Sequence, residues 1–430
     1  MHYFSTNRKS SHVSFREAVR LGQPDDKGLY FPSEIPQLSA GPLADLKTAS
    51  NERIAFDVIR PYVNGEIPEE ILFEICGETV NFDFPLIPIT DRISTLELFH
   101  GPTLAFKDVG ARFMSRCLRY FSQDERARTI VLVATSGDTG GAVAAGFHGV
   151  EGIEVVILYP KGKVSHVQEL QLTTLGGNVT TLELHGTFDD CQALAKQALS
   201  DIDLQTRVNL TSANSINVAR WLPQQFYYFY ALKQCEGERP VISVPSGNFG
   251  NLASGILAHI SGLPVKQFIA ACNANDVVPR FLQTADYQPR RSVATLSNAM
   301  DVGAPSNFVR ILEIFDNDFL DLKAKLEAVS VTDRVTAATM REVYEQYNYI
   351  LDPHGAVGYR ALADYLEKHP AERGVFLETA HPVKFDSVNE IIGTQGTVPE
   401  AVNDLFSKEK VSIEMDNDYE ALREILLGKI

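Results

Sequence analysis

The chain has 430 residues, and its 55 acidic side chains outnumber 39 Lys and Arg, leaving a formal charge of −16 at pH 7. That length points to two or three domains and lets the chain bury enough apolar surface to fold without a disulfide or metal staple. With 44% hydrophobic and 22% charged residues it is not an intrinsically disordered sequence, and its acidic balance offers no overall cationic footprint for nucleic acid.

Five cysteines (Cys76, Cys117, Cys191, Cys235 and Cys272) are scattered and never form a C-x-x-C pair. This fits reduced thiols in a cytosolic chain, not a disulfide framework or a zinc site. Met1 to Arg8 has no apolar signal core, and no apolar run approaches a membrane span. The expectation is a cytoplasmic protein with neither a membrane nor a nucleic-acid partner.

In chain order, Met1 to about Phe84 reads as a mixed segment with turns at Phe31-Pro32, Ile35-Pro36 and Gly41-Pro42. In Phe84-Pro85-Leu86-Ile87-Pro88-Ile89 each residue ahead of a proline is pushed out of the helical region, which predicts an extended stretch and a domain boundary there. Next, Val109, Phe113, Met114, Cys117, Leu118 and Phe121 recur at helical spacing. Thr129 to Ala134 is a continuous apolar run, as in a strand covered on both faces. Strands are then predicted at Ile153 to Leu158, Val179 to Leu184, Pro240 to Val244, Gln267 to Ala271 and Gly374 to Leu377. Helices are predicted at Ser165 to Leu175, Asp189 to Leu199 and Trp221 to Leu232. Strands alternating with helices make an α/β fold with parallel sheets, whose ligands sit beyond the carboxyl ends of the strands. The turns after Ala134, Val244 and Leu377 are therefore the places to look for chemistry.

Lys107 lies in His100-Gly101-Pro102-Thr103-Leu104-Ala105-Phe106-Lys107-Asp108, between an apolar stretch and a helix start that Asp108 is placed to cap. Desolvation and the positive helix end both disfavour its ammonium form. A depressed amine of this kind attacks carbonyl compounds and forms Schiff bases. A surface lysine beside a capping Asp is the plain alternative.

Thr135-Ser136-Gly137-Asp138-Thr139-Gly140-Gly141 follows a buried strand and reads either as a cradle of hydroxyls and N–H groups for an anion, or as a turn that needs glycine for its conformation. Asp138 does not suit an anion, so it is assigned to a ligand hydroxyl. Pro245-Ser246-Gly247-Asn248-Phe249-Gly250-Asn251 opens an apolar helix, where two glycines let the backbone close on a phosphate. Without G-K-[ST] or G-x-G-x-x-G, a phosphate that is not a nucleotide's fits better. Asn214, Ser215 and Arg220 lead into the aromatic helix, with Ser215 as its cap; they are either a second anion clamp or a cap beside an exposed arginine. Thr379, in Glu378-Thr379-Ala380-His381-Pro382, ends a late strand and offers a hydroxyl to a ring heteroatom. The ten histidines have no metal-ligand spacing, no G-x-S-x-G elbow anchors a hydrolase triad, and Asp352-Pro353-His354-Gly355-Ala356 reads only as a tight turn.

A lysine, a phosphate loop and a hydroxyl at strand ends together describe a pyridoxal phosphate site. Through His100–Asp108, Thr135–Gly140, Ser246–Asn251 and Thr379-Ala380-His381-Pro382-Val383-Lys384-Phe385 the sequence resembles the threonine synthases, in their longer bacterial and fungal form. Tyr3-Phe4-Ser5-Thr6-Asn7 and Lys27-Gly28-Leu29-Tyr30-Phe31-Pro32 extend the resemblance to essentially the whole chain.

The resemblance implies a fold type II pyridoxal phosphate enzyme. Two open parallel-sheet α/β domains would hold the cofactor in the cleft between them, behind an N-terminal segment, divided as 1–85, 86–215 (smaller, with the lysine) and 216–430 (larger, with the phosphate loop). It makes Lys107 the Schiff-base lysine and places Ser246, Gly247, Asn248, Phe249, Gly250 and Asn251 at the cofactor phosphate, Thr379 at the pyridine nitrogen and Asp138 at the ring oxygen. Many relatives of this fold carry Asn where this chain has Asp138. Ser136, Thr139, Asn214, Ser215 and Arg220 would hold the phosphate of O-phospho-L-homoserine. The implied reaction expels that phosphate by γ-elimination and adds water at the β-carbon to give L-threonine, in a monomer or homodimer. Rival readings are another fold type II lyase resembling the serine/threonine dehydratases, and a catalytically silent protein resembling threonine synthase.

Overall fold

The computed structural model describes residues 1–38, 43, 45–123, 128–236, 239–394, 396 and 398–429. The Gly41-Pro42 turn expected from the sequence lies outside the described residues.

Three sheets organise the chain. β1 (Tyr3–Ser5) and β2 (Tyr30–Pro32) pair antiparallel in the N-terminal segment. Six strands form the larger sheet: β3 (Leu86–Pro88), β4 (Ile93–Glu97), β9 (Val241–Pro245), β10 (Gln267–Cys272), β11 (Leu326–Ser330) and β12 (Gly374–Glu378), in the order β11-β10-β9-β12-β4-β3. Its pairs are parallel except β3 with β4. Five parallel strands form the smaller sheet: β5 (Thr129–Ala134), β6 (Ile153–Pro160), β7 (Val179–His185), β8 (Asn209–Ser212) and β13 (Ile413–Asp416), in the order β13-β7-β6-β5-β8. Two open parallel sheets, with helices packed against them, are the architecture the resemblance implies.

The apolar runs account for the central strands. All six residues of β5 are buried, as are all five of β9 and β12, which a strand covered on both faces requires. Helices start where side chains satisfy their free N–H groups: Ser165 and Thr187 make capping boxes, and Asp352 caps Pro353–Lys368 by accepting from the His354 and Gly355 N–H groups.

Sheet membership crosses the boundaries expected at 85 and 215. The Leu86–Pro88 stretch is extended, as expected, and forms an edge strand, and β3 and β4 belong to the sheet built mainly from 241–378. At the other end, β13 returns to pair with β7 of the smaller sheet. Chain order cannot reveal either exchange, because both rest on pairings between residues more than two hundred positions apart. The predicted helix Trp221 to Leu232 is three pieces: Val218–Trp221, a 3₁₀ turn Leu222–Gln225, and Phe226–Gln234. Pro223 has no N–H to give an unbroken α-helix there.

The N-terminal segment packs against the junction between the sheets. The Asn217 side chain donates to the Val19 carbonyl at 2.8 Å, and Arg310 donates to the Tyr30 carbonyl at 3.1 Å. Among the described residues no helix is long and apolar enough to cross a membrane.

Gly355 shows how tightly the helix start under β12 is packed: a Cβ there would fall on the carboxyl group of buried Glu378. Gly355→Ala is expected to lower the unfolding free energy by about 1–3 kcal/mol, read as a lowered melting temperature with the visible site chemistry otherwise retained.

Candidate active site

A cavity opens between the carboxyl ends of β5, β9 and β12, bounded by Lys107, Ser136, Asp138, Thr139, Asn214, Ser215, Arg220, the Gly247–Asn251 loop and Thr379. Thus all but one of the residues picked from the sequence meet at one place. The exception is Ser246, whose hydroxyl turns back to the Val244 carbonyl at 2.8 Å and does not face the cavity.

Lys107 is the first residue of the helix Lys107–Phe121. Its approach loop is laced to the end of β12. The Phe106 N–H donates to the Thr379 carbonyl at 2.9 Å, the His381 N–H donates to the Leu104 carbonyl at 3.0 Å, and Ala105 bridges Ala380. Leu104 takes a left-handed backbone, φ 58°, to make this turn. These bonds fix the loop that carries the lysine to the backbone that carries Thr379. Asp108 is not the cap expected: Phe106 holds the cap position, and the buried Asp108 carboxylate folds back to accept from the Thr103 N–H at 2.9 Å and the Thr103 hydroxyl at 2.5 Å. It ties off the loop ahead of the lysine.

The Lys107 ammonium faces the Phe106 ring at 4.6 Å and reaches Asp138 Oδ2 at 3.4 Å. Burial, helped by the charges of Lys384 and Arg220, lowers its pKa against the pull of Asp138. Burial works the other way on Asp138, yet Lys384 and Lys107 together hold its carboxyl well below the usual range. Asp138 Oδ1 lies 2.8 Å from the Lys384 ammonium and accepts from Gln168 at 2.9 Å.

The turn after β5 spends only part of its backbone on itself, which leaves both of its readings standing. The Thr135 hydroxyl already accepts from the Gly137 N–H at 3.0 Å and the Gly140 N–H at 2.8 Å. Thr135, Ser136, Asp138 and Thr139 of this turn line the cavity. Glycine is required at 137, where φ is +137° and a Cβ would collide with the Gln168 side chain.

The loop after β9 does offer free donors. Phe249 sits at φ 63° and the helix Gly250–Ile260 starts with no side-chain cap, so its first N–H groups have no side-chain acceptor. The Asn251 Nδ2 is buried without a hydrogen-bond partner. Gly247 lies against the turn at Asn298–Met300, so closely that a Cβ would stand 2.5 Å from the Met300 Cα. Together these make a snug, uncapped anion seat.

Across the cavity, Ser215 is not a helix cap; Asn217 is, accepting from the Ala219 N–H. The Ser215 oxygen instead accepts from Asn248 at 2.8 Å and Asn307 at 2.9 Å, which leaves its own proton to donate. Fully buried Arg310 props the same loop through the Ser215 and Ile216 carbonyls and stacks on Trp221. Asn214 is pinned to the end of β5 through the Ala134 carbonyl at 2.9 Å.

Arg220 is 3% exposed, not the surface arginine of the plain alternative. It donates to the Ala213 carbonyl, its Nε has no partner, and among the described residues no carboxylate pairs with it. Burial brings its pKa down to about 10. Its Nε lies against Gly110, but the residue lines the cavity, and a buried guanidinium without a carboxylate is the kind of group an anion would satisfy.

Sequence reasoning missed Lys384, Gln168, the Asn298–Met300 turn, Arg310 and His354, which lines the cavity and whose Nε2 accepts from the Ala299 N–H at 3.3 Å. Lys384 stood inside the motif that carried the family resemblance, and His354 inside the Asp-Pro-His-Gly turn. For Asn298 and Arg310 the sequence holds no local signal, since each is defined by what it meets across the fold.

Three family models match the chain: the pyridoxal-phosphate dependent enzymes over residues 95–379, the threonine synthase N terminus over 2–80, and the threonine synthase C-terminal region over 355–426. A threonine synthase of Haemophilus influenzae is 44% identical, covering 99% of this chain and 100% of that one. The crystal structure of threonine synthase from Escherichia coli superposes with a TM-score of 0.94 at 43% identity over 100% of both chains. The pyridoxal-phosphate-bound threonine synthase from Brucella melitensis gives 0.91 at 33% identity, covering 100% of this chain and 99% of the other.

Proposed function

The chain belongs to the threonine synthase family, and from that premise we propose how its residues share the work. It is a pyridoxal-phosphate-dependent lyase, and the reaction is conversion of O-phospho-L-homoserine and water to L-threonine and phosphate.

The donor set fits the cofactor. Gly247, Asn248, Phe249, Gly250 and Asn251 would hold its phosphate at the uncapped helix start, where the orphaned Asn251 amide supplies a further donor. Lys107 would bind its aldehyde and Thr379 its ring nitrogen, on the two strands of backbone laced together at Phe106 and Thr379. When bound, pyridoxal phosphate supplies the electron sink for charge that develops on the substrate's carbon atoms. Thr379 offers only a hydroxyl, too weak an acid to keep a pyridine nitrogen protonated.

The observation that carries the substrate assignment is Arg220, buried, cationic and without a carboxylate partner among the described residues. With Ser215 and Asn214 on its own loop, and Ser136 and Thr139 on the facing helix start, it forms a second anion seat beside the first. A dehydratase acting on free hydroxyamino acids needs no such seat. The clamp selects the phosphorylated substrate and stabilises charge on the departing phosphate. Lys107 Nζ is the base for the α-proton and the best-placed group for the β-proton, and its depressed pKa favours the free amine that those steps require.

A small-molecule substrate completes the partner assignment, and we place the enzyme in the cytoplasm as a monomer or homodimer. Among the described residues the five cysteines are unpaired and four are buried, which suits a reducing compartment.

Arg220→Ala is expected to reduce kcat/KM for O-phospho-L-homoserine by about 10²–10³-fold, corresponding to about 2–4 kcal/mol of lost barrier stabilisation, while the cofactor's visible absorbance is retained. Turnover at the native rate would remove Arg220 from the clamp. In Lys107→Ala, borohydride should no longer fix the cofactor to the peptide spanning position 107. Persistent labelling of the chain at another lysine would refute the assignment.

A further inference from the structure

Lys384 is wholly buried, yet it lies outside the helix start and loop that carry Lys107. Its ammonium reaches Asp138 Oδ1 at 2.8 Å and donates to the Thr103 carbonyl at 2.8 Å. The Thr103 carbonyl also receives Gln171, and its hydroxyl and N–H are taken by Asp108. Two lysines that follow neighbouring strands of the larger sheet, β4 and β12, thus share one carboxylate that follows β5 of the smaller sheet, unequally. Asp138 Oδ1 has Lys384 and Gln168, both within 3 Å, while Oδ2 has Lys107 alone at 3.4 Å.

We propose that Lys384 is a positioning residue for the reaction: it holds Asp138 ionised from the side away from Lys107, so that the carboxylate orients the reactive amine without locking it as an ion pair. This rests on the assignment of Lys107 made above.

Two physical arguments support it. Were Lys107 the only cation beside Asp138, the closed pair would favour the ammonium and leave little free amine. A second cation divides the carboxylate's attraction and adds repulsion of its own. Next, when Lys107 gives up its charge to a covalent link, Asp138 would be left as a buried anion without a cation, which is costly. With Lys384 in place the carboxylate keeps a partner throughout, and the site need not rearrange or take up a proton. The other charged groups nearby are Arg220, on the helix Val218–Trp221, which opposes the Lys107 ammonium, and Asp108, whose carboxylate is occupied by Thr103. Neither reaches Asp138 in the way Lys384 does. Lys384 also anchors the Thr103 carbonyl, so a purely structural role is the competing account.

The test uses the cofactor-free chain. The rate at which added pyridoxal phosphate becomes attached is followed against pH, with reductive trapping and identification of the modified peptide by mass. In Lys384→Met the acid limb of the profile should move to higher pH by about one unit, because a repelling charge near Lys107 is lost. Asp138→Asn should move it to lower pH, the double variant should fall between the two, and Lys384→Arg should follow the native profile. A structural role alone would slow every variant without moving the limb. Superposable profiles for Lys384→Met and the native chain, or shifts of the same sign in Lys384→Met and Asp138→Asn, would overturn the proposal. If Lys384→Met does not fold, the Asp138→Asn shift and the Lys384→Arg profile decide alone: no downward shift, or a displaced arginine profile, overturns it. Trapping of the cofactor on a peptide lacking position 107 would instead overturn the assignment beneath it.

Discussion

The constraint on which the site depends is an excess of buried positive charge. Lys107 and Arg220 line one cavity, Lys384 lies buried behind it, and the carboxylate between the two lysines is Asp138. Asp108, close by, is raised in pKa by its burial and is spent on Thr103. Unpaired buried cations cost free energy unless an anion joins them. On the proposed assignment, the two phosphates, one on the cofactor and one on the substrate, would relieve that cost, chiefly at Arg220. An acidic chain with a cationic pocket is well suited to choose among anions by site geometry, since its overall field does not attract them.

The rest of the fold holds these charges where they are. Backbone pairing between Leu104–Phe106 and Thr379–His381 joins the lysine to the hydroxyl at the end of β12. Asn214 binds the loop of the second anion seat to the end of β5, and Arg310 with Asn307 props Ser215 from behind. The N-terminal segment, whose place was open from the sequence, buttresses that loop through Val19 and Tyr30.

The strands with unbroken apolar runs, and the turns that follow them, were legible because a parallel strand covered on both faces has a distinctive local pattern. The Gly247–Asn251 loop and Thr379 could be picked out for the same reason, since each lies just past such a strand, whereas Lys107 was marked by its place between an apolar stretch and a helix start. What remained hidden depends on distant pairing. Nothing local to Leu86–Pro88 or Ile413–Asp416 says which sheet receives them. Local cap rules favoured Asp108 and Ser215, but tertiary partners claimed both side chains, Thr103 in one case and Asn248 with Asn307 in the other. Ser246 was chosen with its neighbours, yet the end of β9 uses its hydroxyl internally. Lys384 illustrates the same limit, since a lysine reads as a surface residue until its burial is known.

The most direct measurement is a crystal structure of the pyridoxal-phosphate-loaded chain with a non-hydrolysable phosphonate analogue of O-phospho-L-homoserine. The account predicts two separate anions: one at the start of the helix Gly250–Ile260, the other against Arg220 and Ser215. A phosphonate lodged away from Arg220, or a single anion shared between the two seats, would contradict it.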